Sequence, residues 1–240
     1  MAKPARRLLM TRWSSPLFPF YQRYPFRHAT SIRSADDRGC IDFELGVFCN
    51  RIPKAANSSV ISGLASLKRG THVPSKPAKA MFRSPSSLSR TELDAFEALF
   101  KFAVVRNPFA RTLSAYLDKI ERKGKIDGYQ TCFSDFMDYL ERGGLYRNAH
   151  WAPQFALLLI PPERYDFFGR VESFDSDMQQ VYARLREPAL GYAPKSIYQN
   201  YTGASDKARQ YYTSRQVEQV RRLFACDFEG FGYEDRLDLS

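Results

Sequence analysis

Residues 44–70 read ELGVFCNRIPKAANSSVISGLASLKRG. The short apolar run ELGVFCN predicts a strand; it passes through Pro53 and Lys54 into small polar residues. NSSVISGLASLKR then predicts a helix capped by Asn57 or Ser58 and closed by Gly70. This is the order of a strand, a phosphate loop and a helix. Yet the loop has no glycine and its lysine comes first, whereas a Walker loop ends on Lys-Ser/Thr. Small side chains at Ala55 and Ala56 let backbone amides approach an oxyanion closely, and Ser58 and Ser59 add hydroxyl donors at the helix start. Lys54 supplies a point charge able to follow charge developing on a leaving oxygen.

A second junction of the same kind follows. KFAVV (101–105) is a short apolar run suited to a buried central strand, and it leads directly into RNPFARTLSAYLDKIER. There Asn107 can cap and Pro108 sits at the first helical position. Arg106 offers a planar fork that matches a phosphate, and Ser114 lies in the second helical turn, where it can face the same ligand. Singly, a lysine after a strand is more often a solvated surface residue, and an arginine before Asn-Pro-Phe is commonly a structural ion-pair partner. The joint order carries the reading. Ligands of parallel α/β sheets bind beyond the carboxyl ends of the strands, and two cationic junctions there ask for a ligand with two separated anionic groups.

From residue 44 onward apolar runs alternate with helical patterns, which predicts an α/β protein with a central parallel sheet flanked by helices in three layers. THVPSKPAKAMFRSPSSLSR (71–90) reads as a loop, and Ser89 to Glu92 as a capping box opening TELDAFEALF. SDFMDYLERGG reads as a helix ending at Gly143, YDFFGRV (165–171) as a strand, and SFDSDMQQVYARLRE as a helix capped from Ser173 or Asp175. A capping box from Thr213 to Gln216 opens one last helix through Phe231.

The chain of 240 residues, 44% of them hydrophobic, is long enough to bury a core unaided. No apolar run approaches the roughly 20 residues that span a bilayer. Cys40, Cys49, Cys132 and Cys226 are scattered without a metal-like grouping and read as reduced core thiols; no metal is expected. The net charge of +10 is uneven: residues 1–34 carry seven Lys or Arg and no Asp or Glu. We therefore divide the chain into a basic aromatic arm, 1–43, and a main domain, 44–240. The arm suits an anionic membrane surface, an anionic polysaccharide or nucleic acid, or packs its aromatics on the domain.

The two junctions resemble the 5′-phosphosulfate loop and 3′-phosphate motif of sulfotransferases that use 3′-phosphoadenosine 5′-phosphosulfate (PAPS). More narrowly, the chain resembles the carbohydrate sulfotransferases that include the chondroitin 4-O and HNK-1 enzymes; NRIPKAANSS is also similar to the first loop of the heparan and uronyl 2-O-sulfotransferases. NAHWAPQ (148–154), YDFFGRVESF (165–174) and DFEGFGYE (227–234) resemble further segments of the chondroitin and HNK-1 enzymes. The resemblance covers about residues 44–236. One departure is Ser58, where animal members usually carry Thr.

The resemblance implies a P-loop-like sulfotransferase fold and transfer of a sulfuryl group to a hydroxyl of a carbohydrate or glycoconjugate. Pro53, Lys54, Ala55, Ala56, Asn57, Ser58 and Ser59 would hold the phosphosulfate, Arg106 and Ser114 the 3′-phosphate. A general base would take the acceptor proton, with His150 the first choice because histidine titrates near neutral pH, then His72, then Glu172. Arg51, Arg111 and Lys119 are candidates for binding an acidic acceptor. Animal relatives are anchored in the Golgi membrane; no such anchor is seen here. The expectation is a cytoplasmic protein, with peripheral membrane contact through residues 1–34; nucleic acid is not an expected partner. Two other functions fit parts of the sequence: a P-loop-like kinase, and a non-catalytic basic module binding anionic glycan or nucleic acid.

Overall fold

The computed structural model describes residues 15–26, 30–122, 132–185 and 203–239. Strands β1 (Gly39–Asp42), β2 (Val47–Asn50), β3 (Phe100–Val105) and β4 (Phe167–Arg170) form one sheet in that order. β2, β3 and β4 are parallel, with Cys49 opposite Phe102 and Phe102 opposite Phe167. β1 pairs antiparallel to β2, Cys40 opposite Cys49, so the sheet is mixed, with its antiparallel strand at one edge. β2 is buried along its whole length, as its unbroken apolar run requires.

The strands are joined and covered by helices α1 (Pro19–Arg23), α2 (Ile32–Asp36), α3 (Asn57–Arg69), α4 (Ser75–Ala78), α5 (Arg90–Glu97) and α6 (Pro108–Tyr116) in the first half. The second half has α7 (Phe133–Tyr139), α8 (Phe174–Arg184), α9 (Ala204–Tyr211), α10 (Ser214–Leu223) and α11 (Ala225–Phe231). On one face of the sheet, Ile61 and Leu64 of α3 and Met178 of α8 pack on Val47, Cys49 and Phe102. On the other, Phe20 of α1 and Phe96 of α5 close over Phe48, and Leu157 and Phe231 over Ala103 and Val105. Helices thus lie on both faces, giving the three layers expected. A separate helical cluster around Phe109, Phe136, Trp151 and Phe224 extends the core beyond the sheet.

Several local signals hold. Ser89–Glu92 and Thr213–Gln216 form capping boxes, Asn107 Oδ1 accepts from the amides of Phe109 and Ala110, and Gly70 closes α3 at φ 68°. Others are corrected. The strand expected from Glu44 begins only at Val47, because Asp42 Oδ1 draws the amides of Glu44 (3.0 Å) and Leu45 (2.9 Å) into a turn. The 43/44 division falls in that turn, inside the β1–β2 hairpin; from Gly39 the chain belongs to the sheet, and the arm's Phe20, Tyr21, Tyr24 and Phe26 are buried. Residues 71–90 contain α4 and a backbone bridge from Arg83 to Ile41. The single last helix is two, broken at Phe224 (φ −118°, ψ 23°), whose ring is fully buried. Cys40 and Cys49 are core thiols, but Cys132 and Cys226 are exposed. Residues 1–14 lie outside the described residues. Among the described residues, no helix is long and apolar enough to cross a membrane, and no group of three or more His, Cys, Asp or Glu side chains is placed to hold a metal.

Candidate active site

The carboxyl ends of β2 and β3 are neighbours in the parallel sheet, and the loop after each enters a helix. After β2 the chain turns through Lys54 (φ 68°) and Ala56 (φ 51°). Both sit in the left-handed region that usually calls for glycine, which is how a loop without one makes the turn. Ala56 is the N-cap of α3 and makes no side-chain cap; its carbonyl accepts from the amides of Ser59 (2.8 Å) and Val60 (3.0 Å). Asn57 does not cap, because its Oδ1 is taken by Arg51 Nη1 at 3.0 Å. The first two amides of α3, those of Asn57 and Ser58, are thus left without a side-chain cap beside buried Ala55 and Ala56, with Ser58 half-buried and Ser59 buried at the same end.

Helix α6 locks this loop. Arg111, 1% exposed, donates from Nε to Pro53 O (3.0 Å), from Nη1 to Ala152 O (2.8 Å) and from Nη2 to Ala149 O (3.1 Å). It is therefore not an acceptor ligand as its sequence position suggested: its guanidinium binds the loop to the 149–152 segment. Burial pushes it down to about 10. Arg106, also buried, reaches the Lys54 carbonyl from Nη1 at 3.5 Å, and Ser114 is buried further along α6. Gln154 grips the Arg106 backbone on both sides, its Oε1 accepting from the amide (2.9 Å) and its Nε2 donating to the carbonyl (2.8 Å).

The α6 helix widens at Leu117–Glu121 into a π-helical turn, a feature common at functional sites. On it, Asp118 Oδ2 lies 3.2 Å from Lys54 Nζ and 3.5 Å from Lys119 Nζ, and its other oxygen pairs with Arg122. Burial, only partly offset by Asp118 and reinforced by Lys119 and Arg106, pushes Lys54 down to about 8. For Asp118 burial works the other way, but the lysines and Arg122 hold its carboxyl well below the usual range. Lys119 thus serves this ion cluster rather than standing alone as a ligand for the acceptor.

Of the three candidate bases, the structure brings one to the loop. His150 lines a cleft of about 510 Å³ shared with Arg38, Arg51, Pro53 and Asn57. Asn148 Oδ1 accepts from the His150 amide at 3.0 Å, which fixes that atom as an oxygen; it also lies 2.8 Å from Nδ1. Nδ1 therefore carries the proton and Nε2 a lone pair. Burial, then Lys119, Lys54 and Arg111, push the imidazole down to about 3, so it is neutral at neutral pH instead of titrating there. His72 is exposed on the loop after α3 and does not line the cleft. Glu172 accepts from the Asn107 amide (2.9 Å) and the Tyr233 hydroxyl (2.9 Å), which orients the start of α6. Arg51 is buried, donating to Asn57, Cys40 Sγ (3.0 Å) and the Asp37 carbonyl at the cleft wall.

The sequence reading missed Asp118, Gln154 and Asp227. Asp227, fully buried on α11, accepts from the amides of Gln154 (2.8 Å) and Phe155 (2.8 Å) and so supports the grip on Arg106. Gln154 and Asp227 lay within segments already singled out; Asp118 had the weaker signal of following Ser114 by one helical turn.

Comparison with known proteins places the chain in a family. A sulfotransferase family model matches residues 40–234. Carbohydrate sulfotransferase 14 of Danio rerio is 30% identical over 162 residues, covering 56% of this chain and 44% of that protein. Carbohydrate sulfotransferase 14 of Mus musculus is 27% identical over 163 residues (56% and 42%), and carbohydrate sulfotransferase 12 of Mus musculus 27% over 169 (55% and 40%). The match thus spans less than half the length of these curated relatives. No solved structure gives a significant match. With both cation-bearing junctions, the His150 segment and the Asp227 anchor inside the matched span, this chain belongs to the sulfotransferase family.

Proposed function

We propose that the protein transfers a sulfuryl group from PAPS to a hydroxyl of a carbohydrate or glycoconjugate. The observation that carries this reading is the coupling of the two junctions: Arg106 and Arg111 of one reach the Lys54 and Pro53 carbonyls of the other. Two anion sites are thereby held side by side, as a donor bearing a 5′-phosphosulfate and a 3′-phosphate requires. The carbohydrate acceptor is supported by the names of the relatives. The uncapped first amides of α3 with Ser58 and Ser59 would take the 5′-phosphate, and Arg106 with Ser114 the 3′-phosphate.

In the transfer, the sulfur exchanges the bridging phosphate oxygen for the acceptor oxygen. Lys54, released from Asp118, stabilises the charge left on the phosphate. The acceptor proton passes to Nε2 of His150, whose lone pair is already in place. Burial is the largest cause that holds the imidazole down; the smaller share from Lys119, Lys54 and Arg111 is what an arriving polyanion would offset. The same proposal places the chain in the cytoplasm, in peripheral membrane contact through residues 1–34, with the arm's charge as support.

Calorimetry with adenosine 3′,5′-bisphosphate and a labelled-sulfate transfer assay over polysaccharide, glycolipid and small-molecule acceptors test the reading. Lys54→Ala and Arg106→Ala are each expected to lower transfer by about 10²-fold or more, the scale of losing one charge-stabilising donor. Mg²⁺-dependent ATP binding without bisphosphate binding would overturn it in favour of a kinase. Ligand binding that survives Lys54→Ala but vanishes on deleting residues 1–34 would overturn it in favour of a basic binding module.

A further inference from the structure

The lysine proposed to meet the donor already has a carboxylate against it, which the transfer reading leaves unexplained. Asp118 Oδ2 lies 3.2 Å from Lys54 Nζ, and the two side chains are 13% and 10% exposed. Lys119 Nζ stands 3.5 Å from the same oxygen, and Arg122 pairs with the other. A carboxylate here repels an arriving polyanion and engages the cation that the donor calls on. Yet α6 gives up its regular geometry in the π-helical turn Leu117–Glu121, the turn that carries Asp118. The main chain beside it is held still: Arg106 Nη1 reaches the Lys54 carbonyl at 3.5 Å, and Arg111 Nε donates to the Pro53 carbonyl at 3.0 Å. What remains free to move is the ammonium, on its flexible four-carbon stem, between Asp118 and a bound 5′-phosphate.

The charge on that phosphate decides which of the two holds Lys54. In the donor, negative charge is shared between phosphate and sulfate. During transfer the S–O bond to the bridging oxygen breaks and its electron pair stays on that oxygen; sulfur bonds to the acceptor oxygen, whose proton goes to His150. The 5′-phosphate left behind carries about 1.5 to 2 negative charges near neutral pH, all of them beside Lys54. The spent nucleotide therefore grips the lysine more strongly than the donor did, and without a rival for that lysine it leaves slowly. Resting on the transfer reading above, we propose that Asp118 is a positioning residue for product release: it competes with the 5′-phosphate for Lys54 and takes the ammonium back as adenosine 3′,5′-bisphosphate departs. Breaking a partly buried ion pair is a cost each time the bisphosphate engages Lys54, so the carboxylate lowers affinity and speeds dissociation.

The test uses the full chain near pH 6, well below the value of about 8 for Lys54, so that its ammonium is charged throughout. Calorimetric Kd, and the dissociation rate from immobilised protein, are measured for adenosine 3′,5′-bisphosphate on the wild type, Asp118→Asn and Asp118→Ala. Adenosine 3′-monophosphate, which has no group to offer Lys54, is the control ligand. Both variants are expected to bind the bisphosphate about three- to tenfold more tightly, mostly through slower dissociation, a gain between those of a surface and a buried ion pair. The monophosphate should change by less than about twofold, since it does not call on the Lys54–Asp118 pair. A residue that merely supported α6 would, when replaced, weaken both nucleotides. Unchanged or weaker bisphosphate binding in a folded variant would overturn the proposal, and so would equal tightening of both nucleotides, which marks general repulsion instead of competition for Lys54. If Asp118→Asn does not fold, Asp118→Ala decides, alanine being the better helix former. If the wild type does not bind the bisphosphate, the transfer reading fails and the release role with it; bisphosphate binding without tightening in the variants overturns the release role alone.

Discussion

Lys54 has two lives in this site, as the partner of Asp118 and, in the proposed transfer, as the cation for the donor. With burial holding its ammonium at about 8, it is half protonated near pH 8 before any ligand arrives. An anion binding beside it favours the charged form, so bisphosphate binding at pH 8 should take up about half a proton and at pH 6 almost none. Calorimetry in two buffers of different ionisation enthalpy reads this directly; absence of uptake at pH 8 would contradict it. Asp118→Asn removes a group that holds the pKa up, so proton uptake should set in at a lower pH than in the wild type. The sign for folding is also set. The unfolded lysine, with its ordinary value of 10.5, binds more protons between about 8 and 10.5. Lys54 therefore costs stability at lower pH, and that cost disappears as pH rises through this window. The place of Lys54 between β2 and α3 was legible because Pro-Lys-small-small-polar between strand and helix is a local pattern. Asp118 was not, because it reaches Lys54 only through the π-helical turn that rotates it into place.

At the scale of elements, what was written in adjacent residues could be read. The capping boxes, the Asn107–Pro108 helix start and the buried apolar strands each depend on side chains a few positions apart. β1 was missed because its identity is tertiary: GCID becomes a strand by pairing with β2 and tucking under the turn at Pro85–Ser87. The Phe224 break was missed for the same reason, being set by where the ring is buried. Gly39 shows how close the β1 fit is. A methyl group there would lie 2.4 Å from Pro85 Cγ and 3.1 Å from Leu159 Cδ1, contacts that a rigid proline ring cannot relieve by rotation. Gly39→Ala should cost about 1–3 kcal/mol of stability through overpacking, seen as a lower urea midpoint with the slope unchanged. An unaltered midpoint would mean that the 85–87 turn is not fixed against the sheet.

Over the whole molecule, the last helix supports the first chemistry. α11 places Asp227 under Gln154, Gln154 holds the Arg106 backbone, and Glu172 with Tyr233 steadies the next residue, Asn107. Asp227→Asn turns one acceptor toward an amide donor in a dry site and should cost about 1–3 kcal/mol. Because the strain lies behind Arg106, the variant should also bind adenosine 3′,5′-bisphosphate more weakly; unchanged affinity in a destabilised variant would show that the link stops at Gln154. The α/β class and the two neighbouring strand-to-helix junctions were legible in the sequence, as was the DFEGFGYE segment. Its mechanical role was not, since hydrogen bonds between distant segments leave no periodicity.

Arg111 carries a consequence for how such a protein could diversify. One fully buried guanidinium fastens the loop after β2 to the segment bearing His150, so on the proposed reading leaving group and base shift together or not at all. Other walls of the cleft that holds His150 stand outside that fastening, on α4 and ahead of β1. If the transfer reading holds, selectivity is therefore separable from chemistry: the rim can be exchanged for another set of side chains while the loop and the His150 segment keep their alignment.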